Sequence, residues 1–504
     1  MQMSAMQMTT IQADAVQVNA MQKSPRQVKG RGVRLRQRIL VVCFAVIAAG
    51  CAASTPAARP PARPQALHVT WMAGFDAPGT PAQYNRVGVI KVGPSDAKNV
   101  LVLEPGTSAG SAYFVPLAKW ITSTLPGWQV WSVERRENLL EDQSELNLTK
   151  AHKASVTQLY DYYLGYLKDP SITHHFQSIP DASVSFAKGW GMAVAVQDLR
   201  VVITAAEKLG GKVVLGGHSL GGSVVTAYAT WDFSGRAGAS NLAGLVYIDG
   251  GSSATPISSQ QATQELSTLD ATGASPWLAF GGIGAPYAGL FNATGSTAAL
   301  LAPDSPSLGQ SSGLLTPFHL APSEPVTNLG LYGYALNTAT SQPSLLAAQA
   351  HLGVGLAADG PVHGWNGAGA LTPITRFATM FSGLGITDVD GTEWYFPQRL
   401  TDDTGAVGNG NANAAQTVLG VDATMGTELP RTLHIYAFGA RLGGPAVLGA
   451  AQALARQSHI PTGNLTLVNR QSTYAHNDPA GAYPNNAFFA HLVPFLKVVA
   501  APKN

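Results

Sequence analysis

The sequence has few charged residues and almost no cysteine. Of its 504 residues, 12% are charged and 45% are hydrophobic, and the two cysteines are Cys43 and Cys51. So apolar a chain is not disordered and can bury a large core, as one domain with an insertion or as two domains. Both cysteines lie near the N-terminus, which excludes a disulfide framework, so the fold must rely on its core.

Signatures of bound cofactors are also missing from the sequence. No metal-ligand spacing, phosphate-binding loop or dinucleotide fingerprint stands out. We therefore expect no metal and no cofactor. The sequence has no internal repeat either, and it carries no signal for the oligomeric state.

The first fifty residues differ in kind from the rest. Seven basic residues between Lys23 and Arg38 precede an apolar run of eleven residues over 39–49. Such a run is too short to span a bilayer and is typical of a signal-peptide core, which predicts an export signal over 1–50. Its end, Ala48-Ala49-Gly50-Cys51, resembles a bacterial lipobox, which implies lipidation of Cys51. The alternative is a secretory signal that is simply cleaved nearby.

The export signal also accounts for the basic charge of the whole chain. It holds seven basic residues and one acidic residue, so its removal changes the formal charge from +2 to −4. The charge therefore gives no reason to expect a nucleic-acid partner. The Ala- and Pro-rich stretch 51–66 is typical of an extended tether that holds a folded domain off a membrane.

From about residue 68 onward, strand-like and helix-like segments alternate. Short apolar runs predict strands over 87–92, 99–104, 129–133, 212–216 and 242–248, with helices over 113–125 and 189–209. Such alternation indicates an α/β fold with a mostly parallel sheet that is covered on both faces.

The alternation breaks after Asp249 and resumes near residue 432. There follow a strand over 432–438, a helix over 445–457, a strand over 465–468 and a helix over 486–499. We therefore predict a core formed by 67–250 and 431–504, with a cap inserted over 251–430.

The pattern Gly-x-Ser-x-Gly occurs three times, around Ser108, Ser219 and Ser311. Ser311 lies in a polar, proline-punctuated stretch that reads as a loop. Ser219 lies in Gly217-His218-Ser219-Leu220-Gly221, between a predicted apolar strand and a predicted helix of small residues. A sharp strand-to-helix turn of this kind is typical of a nucleophilic serine. Ser108 also follows a strand, so it remains a rival.

These features resemble the α/β-hydrolase family, over roughly 85–250 and 430–500. In that family the nucleophile turn follows an earlier loop that helps to bind the oxyanion, and an acid and a histidine come later in the chain. The resemblance implies that the Ser108 segment is the oxyanion loop. Ser219 would then be the nucleophile, with the backbone N–H groups of Leu220 and Thr107 as oxyanion donors.

The resemblance also places the histidine. His476 follows the last strand and precedes the C-terminal helix, as the family's histidine does. His491 is the nearest rival, but it lies within the predicted helix, where a packed histidine is expected. His218 is expected to shape the turn, with its side chain pointing elsewhere. His351 and His363 could contact substrate, although a structural or solvated role is expected of each.

The acid follows by exclusion within the same resemblance. Many family members carry the acid after the penultimate strand, but residues 429–477 of this sequence contain neither Asp nor Glu. Some members carry it one strand earlier, where Asp249 ends a strand. Alternatives in the insertion are Asp388, Asp390 and Glu393. Asp478 is too close in sequence to His476 to orient it easily.

The implied function is that of an exported, membrane-tethered serine hydrolase acting on small carboxylic esters or other acyl compounds. An amidase or peptidase could use the same triad of Ser219, His476 and Asp249, because the fold does not fix the leaving group. A catalytically inactive binding lipoprotein is a further alternative, favoured by the missing acid at the usual position. The charged segment 134–138 could line the site, but a solvated loop is the expected role.

Overall fold

The computed structural model describes residues 67–253 and 255–501. The predicted export signal, the tether and Cys51 lie outside the described residues. Among the helices of the described part, none is both long and apolar enough to cross a membrane.

A mostly parallel sheet of eight strands forms the centre of the described residues. The strands are β1 Val69–Ala73, β2 Arg86–Val92, β3 Asn99–Glu104, β4 Trp128–Glu134, β5 Val213–His218, β6 Gly244–Ile248, β7 His434–Gly439 and β8 Leu465–Asn469. They lie side by side in the order β1-β2-β4-β3-β5-β6-β7-β8. Only β1 with β2 and β2 with β4 pair antiparallel. The predicted α/β fold class is thus confirmed.

Helices surround this sheet. They are α1 Val115–Thr124, α2 Ser144–Lys150, α3 Val156–Tyr163, α4 Met192–Glu207, α5 Leu220–Thr230, α6 Ser259–Asp270, α7 Tyr287–Leu301, α8 Leu308–Ser311, α9 Asn328–Leu336, α10 Ile374–Ser382, α11 Gln398–Val407, α12 Ala414–Leu419, α13 Gly444–Gln457, α14 Asp478–Gly481 and α15 Ala487–Ala500. Ser311 thus ends a one-turn helix in a segment predicted as a loop.

Alternate residues of the central strands enter two cores, one on each face of the sheet. Val213 and Leu215 pack with α4 and α5 on one face, whereas Val214 packs with α1 and α15 on the other. Because both faces are buried, these strands read as continuous apolar runs, and that is why their positions could be predicted.

The segment predicted as the cap packs against both cores of the sheet. Residues on α11 and α12 join the core on the α5 face, and residues on α10 join the opposite core. A separate apolar cluster combines Leu146 and Trp190, from the segment between β4 and α4, with Leu290 and Trp394 from the insertion. Elements form one layer when their apolar faces pack together. Chain segments from both sides of residue 250 therefore share the layer beside the sheet.

Candidate active site

Ser219 stands on the turn between β5 and α5. Its φ of 55° and ψ of −128° lie outside the regions that side-chain-bearing residues favour. The flanking glycines make the turn sterically possible. A Cβ on Gly217 would lie 2.2 Å from the Gly221 carbonyl oxygen, and one on Gly221 would lie 2.3 Å from that of Glu104. The sequence therefore holds a half-buried serine hydroxyl at the carboxyl edge of the sheet.

Asp249 directly follows β6, the strand beside β5, at the same edge of the sheet. Its carboxylate accepts backbone N–H groups from the loop after β7: Ala440 at 2.6 Å, Leu442 at 3.2 Å, Gly443 at 2.9 Å and Gly444 at 3.2 Å. This loop is where the sequence lacks the usual acid. Here the loop supplies hydrogen-bond donors to a carboxylate from the neighbouring strand.

His476 lies in the loop between β8 and α14 and contacts Asp249. Its Nδ1 is 2.7 Å from Asp249 Oδ2, and both side chains are about 1% exposed or less. Because an ionised carboxylate only accepts hydrogen bonds, Nδ1 carries the proton. The other ring nitrogen, Nε2, is thereby left with its lone pair as a base.

Ser219, His476 and Thr107 line one cavity, which encloses about 550 Å³ of empty space, part of it open to solvent. Within the described residues, no hydrogen bond joins Ser219 Oγ to His476. Catalytic hydrogen bonds are often long in ligand-free enzymes and shorten when substrate binds. The structure therefore places the two side chains in a shared cavity without a formed contact.

The loop after β3 lies against Ser219. A Cβ on Gly106 would come within 2.7 Å of Ser219 Cβ, so the backbone of this loop runs beside the serine. Ser108 has a φ of 52°, and its carbonyl oxygen accepts the N–H of Glu393 at 3.0 Å. Leu220 opens α5, where the first N–H groups of a helix have no partner within the helix.

Arg135 fixes the orientation of this loop. Its guanidinium donates to the carbonyl oxygens of Pro105 at 3.0 Å, Gly106 at 2.9 Å and Ala109 at 3.0 Å. In a trans peptide the C=O and the following N–H point in opposite directions. The N–H of Thr107 therefore points away from Arg135, as an oxyanion donor in the cavity would require.

The segment predicted as a solvated loop is in fact buried. Arg135 also binds Glu104 and Glu393, each at 2.8 Å, and Arg136 binds Asp198 at 2.7 Å. The three carboxylate partners lie 31 residues or more away along the chain, and the separation of Glu393 from Arg135 is 258 residues. Local composition carries no sign of such distant partners, and so the sequence interpretation missed Arg135.

His218 is a second residue whose position the sequence interpretation missed. Its Nε2 is 2.9 Å from the His476 carbonyl oxygen, and its ring packs on the His476 ring at 4.3 Å between centroids. A carbonyl oxygen only accepts, so Nε2 donates. Burial lowers the pKa of His218 well below its ordinary value, which keeps the ring neutral. His218 lines the cavity, contrary to the prediction, and holds the backbone of His476.

The other candidates bind elsewhere. His491 Nδ1 contacts the Ala487 carbonyl of its own helix, and His363 Nδ1 contacts that of Ala357. Asp478 pairs with His351 at 2.5 Å. The carboxylates of the insertion contact other groups: Asp388 with Asn147, Asp390 with Thr392, and Glu393 with Arg135. Of the predicted acids, Asp249 is the one in contact with His476.

No protein-family model and no curated protein matches this sequence. Solved structures do resemble it. A thermophilic esterase from Thermogutta terrifontis is 12% identical, with 86% of this chain and 99% of that chain covered and a TM-score of 0.34. A soluble variant of monoglyceride lipase from Saccharomyces cerevisiae is 10% identical, with 88% and 100% covered and a TM-score of 0.36.

The monoacylglycerol lipase of Paleococcus ferrophilus is 11% identical, with 82% of this chain and 99% of that chain covered and a TM-score of 0.36. At such values the likeness carries no argument about the activity of this chain. Its own geometry defines the class. A serine on a strained strand-to-helix turn at the edge of a mostly parallel sheet, with an acid and a histidine later in the chain, is the arrangement of the α/β-hydrolase fold.

Proposed function

We propose that the protein is a serine hydrolase that cleaves carboxylic esters through an acyl-enzyme intermediate. The observation that carries the proposal is the buried pair of Asp249 and His476, 2.7 Å apart, of which His476 lines the same cavity as Ser219. A serine hydroxyl is a weak nucleophile until a positioned base removes its proton. Nε2 of His476 supplies that base.

The geometry supports the following roles for these residues. Ser219 Oγ attacks the acyl carbon while its proton passes to His476 Nε2, and Asp249 stabilises the resulting imidazolium. The N–H groups of Leu220 and Thr107 bind the oxyanion, each worth on the order of 3 kcal/mol in the transition state. His476 then protonates the leaving alcohol. Water repeats the sequence on the acyl-enzyme and releases the acid.

Paired substrates test this function. We expect p-nitrophenyl acetate to be hydrolysed and the matched p-nitroacetanilide to react far more slowly, with both activities lost in Ser219→Ala. Equal rates on both substrates would indicate an amidase. No turnover of any ester by folded protein would favour a binding protein on a hydrolase fold.

The export part of the proposal rests on the sequence alone, because 1–66 lies outside the described residues. We propose that Cys51 is lipidated and anchors the protein to a membrane. Expression with labelled palmitate should label the wild type and Cys43→Ala but not Cys51→Ala. Label retained in Cys51→Ala would overturn the lipid anchor, and a soluble, cleaved product would indicate the plain secretory signal.

A further inference from the structure

A second cavity lies directly beside the candidate active site. It encloses about 1000 Å³ of empty space, part of it open to solvent. Both cavities have Phe280, Ala288, Asn292 and Ala348 in their walls. The two cavities therefore adjoin at these side chains, where a ligand bound at Ser219 would pass from one into the other.

Helix α7 forms one wall of this cavity with a single face. Ala288, Phe291, Gly295 and Ala298 all line it, at the spacing that places residues on one side of a helix. Three of these four residues are small, and their missing side-chain volume leaves the space open. From Ala288 to Ala298 the helix rises about 15 Å, so the cavity leads well away from Ser219.

Most of the rest of the wall is apolar, and none of it is charged. Leucine and isoleucine side chains dominate it, among them Ile283, Leu315, Leu320 and Leu345. None of the lining residues, all of which lie in the described ranges, is Asp, Glu, Lys, Arg or His. A charged ligand group would lose its hydration here without compensation.

The amides in the wall are already hydrogen-bonded within the protein. Asn292 Oδ1 accepts the Tyr332 hydroxyl at 3.1 Å, and Asn328 Nδ2 donates to the Ala302 carbonyl oxygen at 2.9 Å. Part of the hydrogen-bonding capacity of each amide is therefore used inside the protein. Because most of the lining is apolar and none of it is charged, the wall favours an apolar chain.

We infer that this cavity binds a long alkyl chain of the ester, so that the substrates are esters with one extended aliphatic group. The inference rests on the proposed function of Ser219. The chain can belong to the acyl group or to the alcohol. The chemistry of the wall is the same for both, so the experiment must distinguish them.

Two ester series provide the kinetic test. One series lengthens the acyl chain, from p-nitrophenyl acetate to p-nitrophenyl dodecanoate, and the other lengthens the alcohol, from ethyl acetate to dodecyl acetate. Each methylene that enters the cavity should raise kcat/KM up to about fourfold, the equivalent of about 0.8 kcal/mol per buried CH₂. The series that responds identifies the chain. A flat response in both would overturn the inference.

A space-filling variant ties the chain-length effect to this cavity. Gly295→Leu places a side chain among the lining residues, and we expect the ratio of kcat/KM for the longest to the shortest ester to fall at least tenfold. The matched control is Gly449→Leu, in helix α13, where a Cβ would meet no atom within 4 Å. An equal ratio in Gly295→Leu and in the control, with both proteins folded, would contradict the assignment.

A binding measurement separates this inference from the proposed function. The neutral probe N-phenyl-1-naphthylamine should bind to Ser219→Ala protein, be displaced by 1-dodecanol, and bind more weakly when Gly295→Leu is added. Binding without ester turnover in the wild type would leave the cavity assignment standing and overturn the hydrolase. Turnover of short esters by a protein that does not bind the probe would leave the hydrolase standing and overturn the cavity assignment.

Discussion

The carboxylate of Asp249 receives four backbone N–H groups from residues 440–444 in addition to the imidazole of His476. Backbone donors cannot be removed by side-chain substitution, so they hold an acceptor at this position whatever residue stands there. Three of the four N–H groups reach Oδ1, whereas Oδ2, which faces His476, accepts just one of them, from Leu442 at 3.2 Å. The role of Asp249 as the acid can therefore be tested by a single substitution.

We predict that Asp249→Asn folds but loses about 10⁴-fold in kcat. The amide oxygen can accept the three N–H groups that reach Oδ1, which turns the amide NH₂ toward His476 Nδ1 and forces the proton of the ring onto Nε2. That tautomer cannot act as a base. Ester hydrolysis measured by steady-state kinetics checks this.

The matched control is Asp388→Asn, which changes a carboxylate bound to Asn147. Its kcat should stay within about twofold of the wild type, as for a surface substitution without a specific mechanism. A large loss in Asp388→Asn together with near-normal turnover in Asp249→Asn would assign the acid to the insertion.

Arg135 acts on the chemistry only through the loop it holds, so we class it as a positioning residue. A lysine keeps the charge beside Glu104 and Glu393 but lacks the fork that reaches three carbonyl oxygens. We predict that Arg135→Lys lowers kcat up to about 100-fold, with KM little changed, because a misplaced oxyanion donor weakens the transition state. Steady-state kinetics on one ester separates kcat from KM.

Arg136→Lys controls for general damage to the buried segment. Arg136 is as buried as Arg135, but it binds Asp198 and the Phe75 carbonyl oxygen, away from the loop. It should lower the melting temperature by a similar amount and leave kcat unchanged. If both variants lose kcat in proportion to their stability, Arg135 is only structural.

At the scale of elements, the strand-to-helix turn depends on close backbone contacts. We predict that Gly221→Ala destabilises the protein by on the order of 3 kcal/mol, because its Cβ would press on the Glu104 carbonyl oxygen, 2.3 Å away. Urea unfolding measures this change. Gly449→Ala, in an open position on a helix, should instead stabilise by about 0.5 to 1 kcal/mol. Equal effects would show that the turn tolerates a side chain.

Strands buried on both faces of the sheet were predictable, whereas one partly exposed edge strand was not. The strand predicted over 99–104 matches β3 Asn99–Glu104, because its residues read as one apolar run. Strand β1 has four half-buried residues and one exposed residue and gave no such run, so it was missed. Segments from both sides of residue 250 share the layer beside the sheet. This arrangement depends on contacts between residues far apart in the chain, which no local sequence pattern indicates.

Some residues of the candidate site could likewise be predicted from the sequence, and others could not. The serine turn carries a local signature, and the order of serine, acid and histidine along the chain supplied the remaining choices. Arg135 and His218 carry no such signature, since their roles depend on contacts with backbone carbonyls brought close by folding. The assignment of Ser219, His476 and Asp249 as catalytic residues stays a prediction until activity is measured.

At the scale of the whole molecule, several of the few charged groups are buried together near the loop after β3, among them Glu104, Glu134, Arg135 and Glu393. Burial raises the pKa of Glu134 from 4.5 to about 8, against the lowering effect of hydrogen bonds from Ser111 and of nearby Arg135. Between these pH values the folded protein retains a proton that the unfolded chain releases. Stability contributed by this group is therefore lost as the pH rises from 4.5 to about 8.

We predict that Glu134→Gln makes unfolding less dependent on pH. Glutamine resembles the protonated acid and can still accept hydrogen bonds from Ser111, so it keeps the folded contacts without the titration. Urea unfolding at about pH 5 and about pH 8 should show the variant gaining stability relative to the wild type at the higher pH. A constant difference between the two proteins at both pH values would mean that Glu134 does not titrate in this range.

The account depends most on Ser219 being an activated nucleophile, and a fluorophosphonate probe tests this directly. Mass spectrometry of the labelled protein should place the adduct on Ser219. Labelling should vanish in Ser219→Ala and become far slower in His476→Ala, while both variants remain folded. An adduct on Ser108, or no adduct on folded wild-type protein, would contradict the account.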